Sequence, residues 1–462
     1  MIDTDILRKD PERAKAALAR RGFDFDETQW ARLEARRKAA AIAFEEAQRN
    51  RNQAAEQTAR AKHVGEKVGD ALLALLAAKG NAARDLAEAA KAELEIADAE
   101  RDAFAHRLPN LPLPEVPDGK GEQDNVILRQ DGEPPKLDFH PKTHDELGAT
   151  LQGLDFEAGA ALSGARFAVI SGGLARMHRA LIQFMLDEHA DRHGYMEVQT
   201  PYLVKAEALY GTGQLPKFEE ELFKLERDGL YLIPTAEVPV TNLLARRETR
   251  EDELPLAFCC HTPCFRREAG SAGRDVKGLI RQHQFEKVEL VRACAPENAS
   301  AELELLLSHA EAVLARLGLP YRAVALCAGD LGFASERTID LEVWLPGQNA
   351  WREISSVSTF GEFQARRMGA KFKDAQGKRR HLATINGSGV AAGRALVAVM
   401  ENYQTPDGSI VVPEALHPYM GGLKIIEAPK ISTSQDLTSA TQNRTSRPHH
   451  RQDPHQGRKP LA

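Results

Sequence analysis

Cysteine is scarce: only Cys259, Cys260, Cys264, Cys294 and Cys327 occur in 462 residues. Five is an odd number and too few for a disulfide framework in a chain of this size, so a reducing, cytoplasmic setting is expected. No apolar run of about 18 residues or more occurs, so no membrane-spanning helix is expected. The start, Met1-Ile2-Asp3-Thr4-Asp5, has no apolar core of the kind a secretion signal needs. No internal repeat is visible. A net charge of −6 provides no overall attraction for nucleic acid, so any polyanion site must be a local face, and DNA is not an expected partner.

What is present fits a soluble globular chain: 42% hydrophobic and 28% charged residues. The length is too great for one compact core, so two or three domains are expected.

Residues 1–108 are rich in Ala, Glu, Lys and Arg, with no Gly or Pro from Trp30 to Arg60. Trp30, Leu33, Ala40, Phe44, Ala47 and Ala54 follow three-four spacing, with Arg37 and Arg51 in the missing seam positions. That predicts a long helix with a narrow apolar stripe. A second stripe runs through Leu86, Ala90, Leu94, Ala97, Phe104 and Leu108. Gly65, Gly69 and Gly80 put the turn within 63–81, and the leucines at 72, 73, 75 and 76 either extend the second helix backward or cap the tip. Two long helices joined by a short turn lie antiparallel. Residues 31–62 carry a net +4 and residues 82–107 a net −3. The contrast fits inter-helix ion pairing as well as it fits RNA contact through Arg32, Arg36, Arg49 and Arg60.

Four prolines in Pro109–Pro117 end the hairpin, and residues 109–120 read as a stiff linker. Between 121 and 428 short apolar runs and scattered glycines alternate strand and helix patterns, which predicts an α+β domain. A helix over Leu174–His189 precedes a short strand at Tyr195–Gln199, halted by Pro201. Residues 429–462 are polar, carry several histidines, and are expected to remain disordered because they have too little to bury.

The chemistry concentrates in Cys264-Phe265-Arg266-Arg267-Glu268-Ala269-Gly270-Ser271-Ala272-Gly273-Arg274-Asp275 and in Gly278–Leu290. The pattern is strand, glycine-containing loop, strand. Alternation puts Arg266 with Glu268, and Phe285 with Lys287 and Glu289. A guanidinium for phosphate, a ring for a base and carboxylates for an ammonium suit a nucleoside triphosphate and an amine. An edge hairpin with solvated charges accounts for the same pattern. Cys259, Cys260, His261 and Cys264 do not have the paired spacing of a zinc site and are read as a buried strand.

The same stretch closely resembles motif 2 of the class II aminoacyl-tRNA synthetases in its seryl form. The 174–201 segment looks like motif 1, Ala383–Leu396 like motif 3, Thr235-Ala236-Glu237 like the family's serine-binding loop, and Glu353-Ile354-Ser355-Ser356 like its second ATP and metal segment. The resemblance covers residues 1 to about 428. It implies a class II core, an antiparallel sheet flanked by helices, with a helical hairpin that binds tRNA. It further implies ATP-dependent activation of L-serine and transfer to tRNA(Ser), with tRNA(Sec) as a second acceptor, in a homodimer built through motif 1.

Carried over residue by residue, the resemblance puts Arg266 on the α-phosphate and the serine carboxylate. Glu268 lies at the adenine end, Phe285 stacks on adenine, and Arg394 lies on its other side and touches the γ-phosphate. Arg267, Ile354 and Ser355 fall within the ATP segments. Glu353 and Ser356 hold Mg²⁺, and no zinc is expected. Thr235, Ala236, Glu237, Glu289, Asn386 and Ser388 surround serine. Which of Glu237 and Glu289 takes the hydroxyl is left open. Two positions strain the pattern. Arg267 stands where the family usually has Ser, and alternation turns it away from the site. Glu353 and Ser356 share a ligand only if a bulge or strand end lies between them. Two rival readings are a ligase that loads a carrier protein, which would lack the hairpin, and a non-catalytic RNA-binding relative, which would lack the site residues.

Overall fold

The computed structural model describes residues 1–63, 69–269 and 278–428. The expectations for residues 429–462, for 270–275 of the glycine loop and for Gly65 lie outside the described residues.

Two short helices, α1 (Thr4–Lys9) and α2 (Pro11–Arg20), lead into α3 (Glu27–His63) and α4 (Asp70–His106). At about 1.5 Å per residue, 37-residue helices reach about 55 Å. The seam of α3 follows the predicted stripe, with Trp30, Leu33, Ala40, Ala47 and Ala54 buried. On α4 the seam is displaced by one residue from part of the prediction: Leu86 is exposed and Ala87 is buried. The heptad through Ala87, Ala97 and Phe104 explains this, because 37-residue partners in a two-stranded seam admit one stripe only. The leucines at 72–76 belong to α4, as does Gly80. Arg36 pairs with Glu93 (2.9 Å) and Glu100, and Arg37 with Asp98 (3.0 Å), so part of the basic face is spent on the acidic helix. Arg60 pairs with Glu56 on its own helix at 2.5 Å. Arg32 and Arg49 form no ion pair among the described residues.

The remaining chain builds an eight-stranded sheet from β1 (Val126–Asp131), β2 (Met196–Glu197), β3 (Leu256–Phe265), β4 (Gln284–Cys294), β5 (Tyr321–Ala325), β6 (Arg337–Leu345), β7 (Ala350–Thr359) and β8 (Ala383–Ala391). Their order across the sheet is β1-β5-β6-β7-β8-β4-β3-β2, antiparallel except for the β2–β3 edge. Helices α5 (Gly172–Asp187), α6 (Ala299–Arg316) and α7 (Ala392–Asn402) pack against it, and shorter helices and small two- and three-stranded sheets fill out the domain. The predicted motif 1 helix appears as α5, and its strand shrinks to two residues at the sheet edge. The edge strand β1 carries no buried residue, so it has no alternation by which sequence could announce it.

The period-two alternation of the central strands divides the sheet into two faces. Val288 and Leu290 of β4, Val357 of β7 and Ile385 of β8 join the large core that holds Leu174, Leu181, Leu303, Leu306 and Leu396 from the helices. Gly387 keeps that layer tight, since a Cβ there would lie 2.7 Å from a methyl of Leu306. The residues between them, Phe285, Lys287, Glu289, Ser356, Ser358, Asn386 and Ser388, face the opposite side and line a cavity. Cys259 belongs to the helix-side core and Cys260 to a cluster on the other face, so neighbouring cysteines point apart as read from the sequence.

Candidate active site

The cavity has a volume of about 410 Å³. Its floor is written by strand register. Glu289 of β4 stands opposite Ser388 of β8, and Asn386 of β8 opposite Ser358 of β7. Along β7 the pairing with β6 shifts from Leu341 opposite Ser355 to Glu342 opposite Glu353, leaving Ile354 as an extra residue. This bulge is the irregularity that alternation demanded, and both Glu353 and Ser356 line the cavity.

Arg266 lies just beyond the end of β3, where its N–H still donates to the His283 carbonyl at 2.9 Å. Its Nε donates to the Pro234 carbonyl at 3.2 Å, and the guanidinium sits 5.3 Å from the centre of the Phe285 ring. Glu268 has a φ of 52° and lies past the strand. Arg281 holds its Oε2 at 2.6 Å. Arg394, near the start of α7, donates to the Glu353 carbonyl at 2.8 Å and pairs with the Glu353 carboxylate at 3.1 Å. Arg394 and, more weakly, Arg266 pull the Glu353 carboxyl below the usual carboxylate range.

The other end of the cavity is a buried polar network. Lys287 pairs with Glu289 and donates to the Thr235 hydroxyl at 2.9 Å. That hydroxyl in turn donates to Glu289 Oε2 at 3.1 Å and accepts from the Glu237 N–H at 3.2 Å. Among the described residues Glu237 has no ion-pair partner. Gln364 donates to its Oε1 at 2.7 Å, and burial, reinforced by the nearby Glu289, pushes its carboxyl up to about 7. Gln364 is itself locked by Thr384, whose hydroxyl donates to it at 2.7 Å.

Twelve of the residues singled out from sequence line this one space: Thr235, Glu237, Arg266, Glu268, Phe285, Glu289, Glu353, Ile354, Ser356, Asn386, Ser388 and Arg394. Three do not. Ala236 is fully buried behind the wall. Ser355 points away and donates to the Ser388 carbonyl at 2.6 Å, which positions that strand. Arg267 is exposed outside the cavity, its guanidinium 5.1 Å from the Phe223 ring, as alternation required. Lys287 and Arg281 also line the cavity; both lie in the same hairpin, and alternation puts Lys287 on one face with Phe285 and Glu289, but no motif marks either. Gln364 carries no local motif at all and reaches Glu237 only through tertiary packing. Among the described residues the lining carries four cationic side chains, Arg266, Arg281, Lys287 and Arg394, and four carboxylates, Glu237, Glu268, Glu289 and Glu353. Such a space suits a ligand pair that itself carries both signs.

An antiparallel sheet with a helix-covered back and this charged front is the architecture of the class II synthetases. The model of the class II tRNA synthetase core domain (G, H, P, S and T) matches residues 219–403, and that of the seryl-tRNA synthetase N-terminal domain matches residues 1–112. The serine–tRNA ligase of Herminiimonas arsenicoxydans is 51% identical over 430 residues, covering 92% of this chain and 98% of its own length. That of Alcanivorax borkumensis is 53% identical over 427 residues, covering 92% and 99%. Among solved structures, seryl-tRNA synthetase from Pyrococcus horikoshii complexed with ATP superposes with a TM-score of 0.83 at 33% identity, covering 93% of this chain and all of that one. The cytoplasmic serine–tRNA ligase of Naegleria fowleri with AMP gives 0.81 at 28% identity, covering 93% and 99%. The chain belongs to the seryl-tRNA synthetase family.

Proposed function

We propose that the cavity activates L-serine with ATP and then transfers the seryl group to tRNA. The observation that carries this reading is the convergence of Arg266, Phe285, Glu289 and Arg394 on one space. Serine's carboxylate oxygen attacks the α-phosphorus, the bond from that phosphorus to the bridging oxygen breaks, and pyrophosphate leaves. A hydroxyl at the tRNA 3′ end then attacks the seryl carbonyl, and AMP leaves. Neither step needs a covalent enzyme intermediate. Both need positioning and neutralised charge, which oriented guanidinium groups supply.

Arg266 serves the α-phosphate and the serine carboxylate, Phe285 the face of adenine, Glu268 its edge and Arg394 the γ-phosphate. Thr235, Glu237, Glu289, Asn386 and Ser388 surround the amino acid. A buried site built to bond a hydroxyl disfavours alanine by about 10⁴ or more, because its polar groups would be left unpaired. The bulge at Ile354 lets Glu353 and Ser356 offer oxygens to a hard cation, and the half-exposed Glu353 carboxylate is held in its ionised form. Mg²⁺ fits that donor set, because it takes one or two protein oxygens and completes its shell with phosphate oxygens and water. It would supply charge neutralisation on the triphosphate.

The α3–α4 hairpin is the tRNA arm, in keeping with the family match over residues 1–112. Helical RNA is met mainly through its backbone and shape, and the exposed Arg32 and Arg49 suit that contact. The second protomer of a homodimer is expected at the motif 1 edge, where Met196 on β2 is 63% exposed. Among the described residues no helix is long and apolar enough to cross a membrane. The cytoplasm, where the five buried thiols stay reduced, is the proposed setting.

The test is amino-acid-dependent exchange of pyrophosphate into ATP with serine, threonine and alanine. Exchange with serine alone is expected. Failure with serine would leave only a binding protein.

A further inference from the structure

The root of the helical arm and one wall of the cavity are a single packed unit. Leu18, Phe25, Trp30 and Phe104 of the arm share one hydrophobic cluster with Phe333 and Phe360, which line the cavity. At the seam sits Arg21, the C-cap residue of α2, just before Gly22 turns the chain with a φ of +67°. Its guanidinium donates to the carbonyls of Leu331 and Gly332 at 2.7 Å each, and to those of Phe333 and Ser335 at 3.3 Å each. It also holds the Asn110 carbonyl at 2.7 Å. Asn110 joins the same loop, its side-chain amide donating to the Ala334 and Phe360 carbonyls at 2.9 Å each. Gly332, Phe333, Ala334 and Ser335 are all cavity wall.

Strand geometry says which end of the cavity this wall closes. Ser356, Ser358 and Phe360 follow one another at alternate positions, running away from Glu353. Ser358 stands opposite Asn386, and the Phe360 N–H donates to the Thr384 carbonyl at 3.0 Å, whose hydroxyl orients Gln364 and through it Glu237. The clamped loop therefore borders the Asn386–Glu237 end, opposite to the Glu353–Arg394 end.

We propose that Arg21 is a positioning residue for the amino-acid pocket: the arm's root sets the wall that serine binds against, independently of tRNA. This rests on the reading of the Asn386–Glu237 end as the serine site. A loop that aims four of its carbonyls at one point needs a donor fork there, and a guanidinium supplies that geometry where an ammonium does not. Without it the carbonyls repel one another and the loop turns out of line.

Arg20 is a matched control. It lies one residue earlier and binds the Leu113 carbonyl (3.3 Å), the Val116 carbonyl (2.5 Å) and Asp118 (2.6 Å), all in the linker and none lining the cavity. The experiment is pyrophosphate exchange on the full chain, with Arg21→Met, Arg21→Lys and Arg20→Met compared at equal content of folded protein by circular dichroism. Arg21→Met is expected to raise KM for serine about tenfold, with KM for ATP and kcat within about threefold. Arg21→Lys is expected to fall between Met and the unaltered chain, and Arg20→Met to match the unaltered chain. An Arg21→Ala variant should regain serine affinity in millimolar guanidinium chloride. Equal effects of Arg20→Met and Arg21→Met, or a rise in KM for ATP as large as that for serine, would overturn the proposal. Absence of serine exchange in the unaltered chain would instead overturn the reading beneath it.

Discussion

On the proposed reading that Glu237 borders the serine site, serine binding should depend on pH, with a sign set by the surroundings of this carboxyl. The carboxyl is buried and faces Glu289 across the pocket; among the described residues its hydrogen-bond partners are the neutral amides of Gln364 and Asn386, while Lys287, paired with Glu289, attracts it only from a distance. A carboxyl that titrates at about 7 rather than 4.5 loses about 3 kcal/mol of folding stability when it ionises. The sign follows from proton counting. Between pH 4.5 and 7 the folded chain holds a proton here that the unfolded chain has released, so stability falls as pH rises through that window and is level above it. If the ammonium of serine lies beside Glu237, it reverses the penalty, because it brings a cation to the carboxylate. Binding therefore selects the ionised form, and KM for serine should rise about tenfold between pH 8 and pH 6 at saturating ATP. Glu237→Gln should abolish that dependence and raise KM at every pH. In urea titrations it should gain about 3 kcal/mol relative to the unaltered chain on passing from pH 4.5 to pH 8. A serine KM that is flat from pH 6 to 8.5 in the unaltered chain would refute the argument.

Arg266→Lys and Arg394→Ala should each lower the exchange rate by about 10²-fold or more, because each removes a fixed donor from developing phosphate charge; a loss below fivefold would assign the charge stabilisation elsewhere. Gly278→Ala should cost about 2–4 kcal/mol in urea titrations, since Gly278 has a φ of +69° and a Cβ there would meet His144 Nε2 at 1.9 Å. The displaced His144 also accepts from the Leu279 N–H at 3.1 Å, so the cavity wall at Leu279 and Ile280 should shift and KM for ATP should rise. Arg37 stands level with Asp98, so deleting residues 41–94 and closing with a short turn removes the outer arm and leaves the Trp30–Phe104 root intact. Serine-dependent exchange should then stay within about twofold while tRNA charging falls by about 10²-fold; parallel loss of both would show that the outer arm supports the core.

Much was legible because the relevant signals are local. The three-four stripes of α3 and α4 specify a hairpin wherever they occur, and the prolines after Leu108 end it regardless of context. The alternation of Phe285, Lys287 and Glu289 already puts them on one face, and the need for a bulge between Glu353 and Ser356 could be stated before Ile354 was seen to supply it. Tertiary structure decided what no local pattern encodes. It placed Leu86 outside the seam, because only the partner helix fixes the register. It set Ser355 behind the floor, where the family resemblance alone had grouped it with the ATP segment. It brought Gln364 to Glu237 and Arg21 to the 331–335 loop across more than 100 residues of chain. Periodicity reports which way a side chain faces within its own element; which distant groups it meets, and hence its charge state and its part in the pocket, depends on how the elements pack.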